Sequence, residues 1–147
     1  MIINPFGPYS FVNSAIAIGG IAAYGEPLDR FGFILNVALE FFEDPPGERS
    51  VTSGGQPVQQ MRLVDTNDIE SQVPSVLRAV GLVHAARLED KFVLVTCAAG
   101  RNRSALVVAE YLIQHGHDAQ KVISGIQARR AKSLTNETFV NWLLRRR

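Results

Sequence analysis

The feature that most constrains this chain is one strand-to-helix passage, VLVTCAAGRNRSALVVAEYL at residues 93–112. It opens on a short apolar, β-branched run of buried-strand type, the end of KFVLVT. From Ser104 onward, SALVVAEYLIQH follows helical spacing and stops at Gly116, a residue suited to a helix C-terminus. Between them lies only the loop from Cys97 to Arg103. A buried strand that turns straight into a helix needs a sheet beside it and a layer of helices over that sheet.

The rest of the chain repeats the alternation. AIAIGG reads as a strand ending in a turn, FGFILNVA as a buried strand, and QQMRLV as a strand that ends at Asp65. EDPPGERSVTSGGQP, rich in Pro, Gly and polar residues, reads as a surface loop, with Glu43, Asp44 and Glu48 as its solubilising charges. Ile69, Val73, Val76, Leu77, Val80, Val83 and Leu88 follow helical spacing, with Pro74 in the first turn or at a mild kink. Asp118 is placed to cap a helix AQKVISGIQARR, and Thr135 to cap a last one, NETFVNWLLR. Strands alternating with helices predict an α/β fold, a central and mostly parallel sheet flanked by helices on both faces. The 147 residues suit one domain spanning 1–147, with 46% hydrophobic residues to fill its core.

Composition removes several kinds of chemistry. The only cysteine, Cys97, permits no internal disulfide and no cysteine-rich metal site. Only the His115/His117 pair keeps a zinc site conceivable, so no metal or cofactor is expected. The apolar stretch FVNSAIAIGGIAAYG has no basic residue before it, and it is too short and glycine-rich to span a membrane. A lone thiol suits a reducing compartment, so the expectation is a cytoplasmic protein with no membrane partner. Charge is uneven: residues 1–70 carry three basic and nine acidic side chains, and residues 71–147 carry twelve basic and five acidic. The half that holds Cys97 is the one that attracts anions.

Between a strand and a helix N-terminus, the loop at Cys97 has a definite chemistry. A helix N-terminus leaves its first N–H groups unpaired and carries partial positive charge. A loop curled before it adds further N–H groups, an anion-binding nest. Gly100 tolerates the tight curl, and Arg103 offers a planar fork matched to two phosphate oxygens. Thiols in such surroundings titrate below the free value of about 8.5 and serve as nucleophiles at neutral pH. A thiolate under a bound phosphoryl group predicts attack on phosphorus and a phosphocysteine. The leaving oxygen then needs a proton, and a carboxyl at a strand end is the natural source. If the strand ending at Asp65 lies beside the strand ending at Cys97, both side chains meet at one sheet edge, where open α/β folds bind ligands. Asp68 is the rival acid. Ser104 is placed to hydrogen-bond the sulfur.

CAAGRNRS resembles the C-x5-R-[ST] signature of the protein tyrosine phosphatase superfamily, and most closely the small atypical members of its dual-specificity branch. AIAIGG and FILNVALE are similar to the opening strands of that family, RLVDTND to the segment carrying its general acid, and YLIQHGHDAQKVISGIQARR with NETF to its closing helices. The likeness covers residues 14–145. It implies Cys97 as nucleophile, Arg103 as phosphate-binding arginine, Asp65 as acid and Ser104 as the assisting hydroxyl. It also implies that Ala98, Ala99, Gly100, Arg101, Asn102 and Arg103 cradle the phosphate, or a sulfate in its place. The implied activity is a cysteine-dependent protein phosphatase acting on phosphotyrosine and on phosphoserine or phosphothreonine. The implied fold is that of the dual-specificity phosphatases. One position departs from the pattern: Thr96 stands where the family usually has His.

Alternative readings use the same scaffold. Relatives dephosphorylate inositol lipids or RNA 5′ ends. The loop has no lysine for the lipid reading, and Asn102 before the arginine is the one feature favouring RNA, so nucleic acid is not the expected partner. A non-catalytic phosphopeptide-binding module would typically lack the cysteine, the arginine or the acid, and all three are here. Elsewhere, Arg129 and Arg130 read as a solvated helix end, Phe139 and Trp142 as core, and His84 as structural. Arg101 reads as loop surface or as an attraction for acidic substrates.

Overall fold

Six short strands form one sheet in the computed structural model, which describes residues 7–39, 49–51 and 55–145. In chain order they are β1 (Tyr9–Phe11), β2 (Ile16–Gly19), β3 (Phe33–Asn36), β4 (Arg49–Val51), β5 (Pro57–Gln60) and β6 (Val93–Thr96). Their spatial order is β1-β2-β6-β3-β5-β4. The central pairs β2–β6, β6–β3 and β3–β5 are parallel, and the edge strands β1 and β4 are antiparallel. The strand β6 that leads to Cys97 is thus flanked on both sides, and all four of its side chains are buried. Glu43, Asp44 and Glu48 lie outside the described residues. Part of the stretch read as surface loop is the edge strand β4; Arg49–Val51 contains no Pro or Gly, and an edge strand needs backbone pairing on one side only.

Four α-helices follow: α1 (Val73–Leu88), α2 (Arg103–Gln114), α3 (Ala119–Arg129) and α4 (Glu137–Arg145). Pro74 sits in the first turn of α1, where its missing N–H costs nothing. The buried stripe of α1 is Val76, Ala79, Val80, Val83 and Ala86. Leu77 and Leu88, expected in that stripe, are exposed. Asp118 caps α3, its carboxylate accepting from Lys121 N at 3.0 Å. Asn136, not Thr135, caps α4, accepting from Phe139 N at 3.2 Å. Phe139 and Trp142 are buried core, as their spacing predicts.

Both faces of the sheet are covered, unequally. Ile16, Ile18, Leu35, Val93 and Val95 face the four helices in one large core. Ala17, Ile34, Val58 and Leu94 face a 3-10 turn (Ile21–Gly25) and the loop after it, through Ala23, Leu28 and Phe31. Handedness explains the split. The β2-to-β3 connection steps across β6 in one direction, and the β5-to-β6 connection, with α1, steps back across β3. Right-handed crossovers in opposite directions must lie on opposite faces. Among the described residues, no helix is long and apolar enough to cross a membrane.

The strand expected to end at Asp65 ends at Gln60, and its parallel neighbour is β3, not β6. Asp65 reaches the edge near β6 by a different path. After Gln60 the chain turns along the extension of β3, with Met61 N donating to Asn36 O at 2.8 Å and Leu63 N to Val37 O at 2.8 Å. Val37 N in turn donates to Thr96 O at 2.8 Å. These bonds bring residues 61–65 to the carboxyl edge of β6.

Candidate active site

β6 ends at Thr96, and the chain curls through Cys97–Asn102 into α2. Gly100 makes the curl possible. Its φ is +69°, and a Cβ there would lie 2.4 Å from the Gly19 carbonyl carbon. Gly20 makes the matching close approach, since its Cβ would meet Ala98 O at 2.8 Å. The turn after β2 and the loop therefore interlock backbone to backbone, and Cys97 N donates to Gly19 O at 3.1 Å.

All five carbonyls from Ala98 to Asn102 are engaged, four by other elements and Asn102 O by its own helix α2. Ala98 O accepts from Ile21 N at 3.0 Å, Arg101 O from Leu134 N at 2.7 Å and Asn102 O from Leu106 N at 2.8 Å. Ala99 O and Gly100 O accept from the Arg130 guanidinium at 3.0 and 2.8 Å. The amides of residues 98–102 find no protein acceptor among the described residues. With the carbonyls drawn outward, those amides remain for an anion inside the curl. Asn102 holds the N-cap position of α2 without capping it, so the first amides of the helix have no side-chain acceptor there.

The curl opens on a cleft of about 160 Å³ lined by Asp65, Cys97, Ala98, Ala99, Arg101, Asn102, Arg103 and Thr135. Cys97 is buried at 3% exposure, and its Sγ lies 3.2 Å from Ser104 Oγ. Arg103 is nearly as buried, and its Nη1 donates to Leu63 O at 3.0 Å. That bond ties the guanidinium to the segment carrying Asp65. Gly100 and Ser104 support the cleft without lining it. Arg101 Nε donates to Lys132 O at 3.1 Å, which pins its guanidinium at the rim.

Asp65 and Asp68 are separated by the geometry. Asp65 lines the cleft with Cys97. Asp68 lies outside it, accepting from Ser71 N at 3.2 Å, and hydrogen bonds from Ser71 hold its carboxyl below the usual carboxylate range. Asp65 accepts from Asn102 Nδ2 at 3.1 Å and from Asn136 Nδ2 at 2.6 Å.

Thr96 belongs to a buried polar row under Cys97. In register across the sheet, Thr96 pairs Asn36 and Asn36 pairs Gln60. Thr96 Oγ1 donates to Asn36 Oδ1 at 3.0 Å, and Asn36 Nδ2 donates to Gln60 Oε1 at 2.7 Å. Because the one hydroxyl proton of Thr96 is spent on Asn36, Tyr24 Oη donates to Thr96 across 2.8 Å. Burial pushes the Tyr24 phenol up to about 12. Among the described residues, no group of three or more His, Cys, Asp or Glu is gathered to hold a metal.

The sequence profile of the dual specificity phosphatase catalytic domain matches residues 28–147. The chain belongs to the dual specificity phosphatase family. No curated protein sequence matches this phosphatase, but solved structures do. A mouse putative dual specificity phosphatase, solved in complex with zinc tungstate, is 25% identical with a TM-score of 0.76, covering 99% of this chain and 88% of its own. Human DUSP28 is 23% identical with a TM-score of 0.75, covering 94% and 91%. A human tyrosine phosphatase-like serine/threonine/tyrosine-interacting protein shares the fold at 16% identity, TM-score 0.75 and 94% of each chain.

Sequence reasoning missed two residues of this phosphatase site. Arg130, read as solvated, is 2% exposed and braces the loop from behind. Its Nη1 also donates to Gly7 O at 3.0 Å and Ser10 Oγ at 3.1 Å, so it links the loop to the first strand. Burial lowers the pKa of its guanidinium, and the charge of Cys97 offsets part of that. A signal for it existed: Val122 and Ile126 lie on the buried face of α3, and Arg130, the residue just past its end, falls at the next fourth position. Asn136 was read only as part of the last helix, and no local pattern points to its contact with Asp65.

Proposed function

We propose that this chain acts as one catalytic domain that hydrolyses phosphomonoesters on phosphoproteins, at phosphotyrosine and at phosphoserine or phosphothreonine, through a phosphocysteine. The observation that carries this reading is that the carbonyls from Ala98 to Arg101 are all bonded to other elements while the amides of residues 98–102, beside a buried sulfur, have no protein acceptor among the described residues. Arg103, together with the amides of Ala98, Ala99, Gly100, Arg101, Asn102 and Arg103, holds the phosphoryl oxygens. These donors are fixed before substrate arrives, which favours the charge that builds up in the transition state.

In the first step the Cys97 thiolate attacks phosphorus. The P–S bond forms as the P–O bond to the substrate breaks, and the protonated Asp65 carboxyl gives its proton to the leaving oxygen. In the second step the Asp65 carboxylate takes a proton from water as its oxygen attacks phosphorus. The P–S bond breaks, phosphate leaves and the thiolate is restored. The Ser104 hydroxyl, 3.2 Å from sulfur, donates to that thiolate as it departs. Short side chains, Ala98, Ala99 and Thr135, line the cleft and admit alkyl as well as aryl phosphates. The basic half of the chain and the pinned Arg101 favour acidic phosphopeptides. A single unpaired thiol supports a reducing, cytoplasmic setting.

Hydrolysis of an aryl phosphate tests the reading. Turnover is expected to persist in a chelator and to vanish in Cys97→Ser. Activity that survives Cys97→Ser sinks the proposal, and so does activity that chelation removes. Asp65→Asn is expected to lose roughly 100- to 10,000-fold on phenyl phosphate and far less on p-nitrophenyl phosphate, whose leaving group scarcely needs a proton.

A further inference from the structure

The Asp65 carboxylate is exposed, and it stands on a loop rather than a strand. Yet both of its oxygens are held, each by a primary amide from a different element. Asn102 Nδ2, at the start of α2, donates to Oδ2 at 3.1 Å. Asn136 Nδ2, at the start of α4, donates to Oδ1 at 2.6 Å. The two asparagines are themselves joined, since the backbone N–H of Asn136 donates to Asn102 Oδ1 at 2.9 Å. Each has a further anchor: Asn102 Nδ2 donates to Thr135 Oγ1 at 3.2 Å, and Asn136 Nδ2 to Thr66 O at 3.0 Å.

We propose that Asn102 and Asn136 are positioning residues that hold the Asp65 carboxyl over the cleft for proton transfer. The proposal rests on the reading of Asp65 as the general acid. An amide pair suits that duty where a cation would not. A lysine or arginine would also fix the carboxylate, but its charge would keep the proton off and compete for the phosphoryl oxygens. Neutral amides fix the side chain and still hydrogen-bond the carboxyl after it is protonated. The clamp also ties the acid to the loop it serves, because Asn102 belongs to the anion-binding curl. Asn102, the residue that kept RNA open as a substrate, has its side chain committed within the protein.

The decisive experiment compares two leaving groups. Misplacing a catalytic group by about 1 Å costs on the order of 100-fold. Asn136→Ser keeps an oxygen to cap α4 but removes the amide donor. It is expected to lower kcat on phenyl phosphate roughly 10- to 100-fold and kcat on p-nitrophenyl phosphate less than about 3-fold, with KM little changed. Asn102→Ala leaves the α4 cap intact and gives a second reading: because Asn102 also belongs to the phosphate loop, both substrates are expected to lose rate, phenyl phosphate roughly 10-fold more than p-nitrophenyl phosphate. In the Asp65→Asn background, adding Asn136→Ser is expected to cost nothing more on phenyl phosphate, because the amide acts only through the acid.

Equal losses on the two substrates in both asparagine variants would overturn the clamp. So would full additivity with Asp65→Asn. The selective pattern in Asp65→Asn separates the two failures. If Asp65→Asn is selective and the asparagine variants are not, only the clamp falls. If Asp65→Asn is itself unselective, the acid assignment falls and takes the clamp with it.

Discussion

The rear and the front of the Cys97 loop are built on opposite principles. At the rear, backbone meets backbone at Gly19, Gly20 and Gly100, and a buried guanidinium takes two carbonyls at once. At the front, Asp65 is exposed and is held by amide side chains within reach of water. The Arg130 bond to Gly100 O is buried and cannot be exchanged for water, so losing it leaves a buried carbonyl unsatisfied, and the bond to Ala99 O is part-buried. The front bonds can be exchanged, and little stability depends on them. The division fits the duties proposed for the two sides. An anion seat works only if its donors are fixed before the charge arrives, whereas an acid must gain and lose a proton in every cycle. Substitutions at the rear should therefore lower stability and activity together, and those at the front activity alone.

The largest effect is expected at Gly100→Ala. Its φ of +69° strains any other residue, and the added carbon falls 2.4 Å from backbone that cannot swing away. A loss of about 4 kcal/mol or more is expected, read as a fall in Tm of roughly 10 °C with activity abolished. A variant that melts like the parent would show that the rear of the loop is not rigid, and the comparison would break.

Arg130→Met comes next. It keeps the bulk of the side chain but strips the buried Gly100 carbonyl and the part-buried Ala99 carbonyl of their donor. The expected cost is about 3 kcal/mol, with a parallel drop in kcat on good and poor leaving groups alike. Arg130→Lys should recover only part, since an ammonium cannot span Ala99 O and Gly100 O as a planar fork does. Denaturant melts beside the two-substrate assay measure both. Selectivity for the poor leaving group at Arg130 would contradict the division into rear and front.

How much of this could be read from the sequence follows the same line. The curl from Cys97 to Arg103 was legible because it is contiguous: strand, nest and helix N-terminus follow one another along the chain. Asp65 was legible as a carboxyl near a strand end, but for an incorrect reason, since β5 does not border β6. The connection runs through Val37 and Leu63, a tertiary detour that no local pattern encodes. Arg130 and Asn136 lie more than 25 residues beyond the loop, and only packing of α3 and α4 against α2 brings them back to it. An arginine beside another arginine at a helix end looks like solvated surface unless its phase with Val122 and Ile126 is followed. Thr96 departs from the family pattern in the sequence, yet the other members of its row, Tyr24, Asn36 and Gln60, come from three other elements, so no local pattern reveals the row.

That row gives a smaller effect with a pH signature. Tyr24→Phe removes the part-buried hydrogen bond to Thr96 and should cost about 1 kcal/mol at neutral pH. The folded protein holds the phenol neutral up to about 12, against an ordinary value of 10.0. The stability due to that preference for the neutral phenol is fully present below pH 10 and is lost as pH rises through 12. The parent's advantage over Tyr24→Phe should therefore shrink across this window. Phenolate absorbance should show a tyrosine titrating late in the parent that is missing from the variant. A constant gap between the two proteins would mean that Tyr24 is solvated when folded.

The smallest expected effect is on the stability of Asp65→Ala, and it is the sharpest test of the comparison. Asp65 accepts two amide hydrogen bonds, one of them the short 2.6 Å contact from Asn136, so a count of contacts would rank it beside Arg130. Exposure reverses that ranking. When the carboxylate is removed, water can take up the freed N–H groups of Asn102 and Asn136, and no buried donor is left unsatisfied. The stability change should stay within about 0.5 kcal/mol, a shift in Tm of roughly 2 °C or less, while turnover of phenyl phosphate collapses. If Asp65→Ala instead melts as early as Arg130→Met, the front of the site is as deeply built into the fold as the rear, and the acid is held by the core rather than by two exchangeable amides.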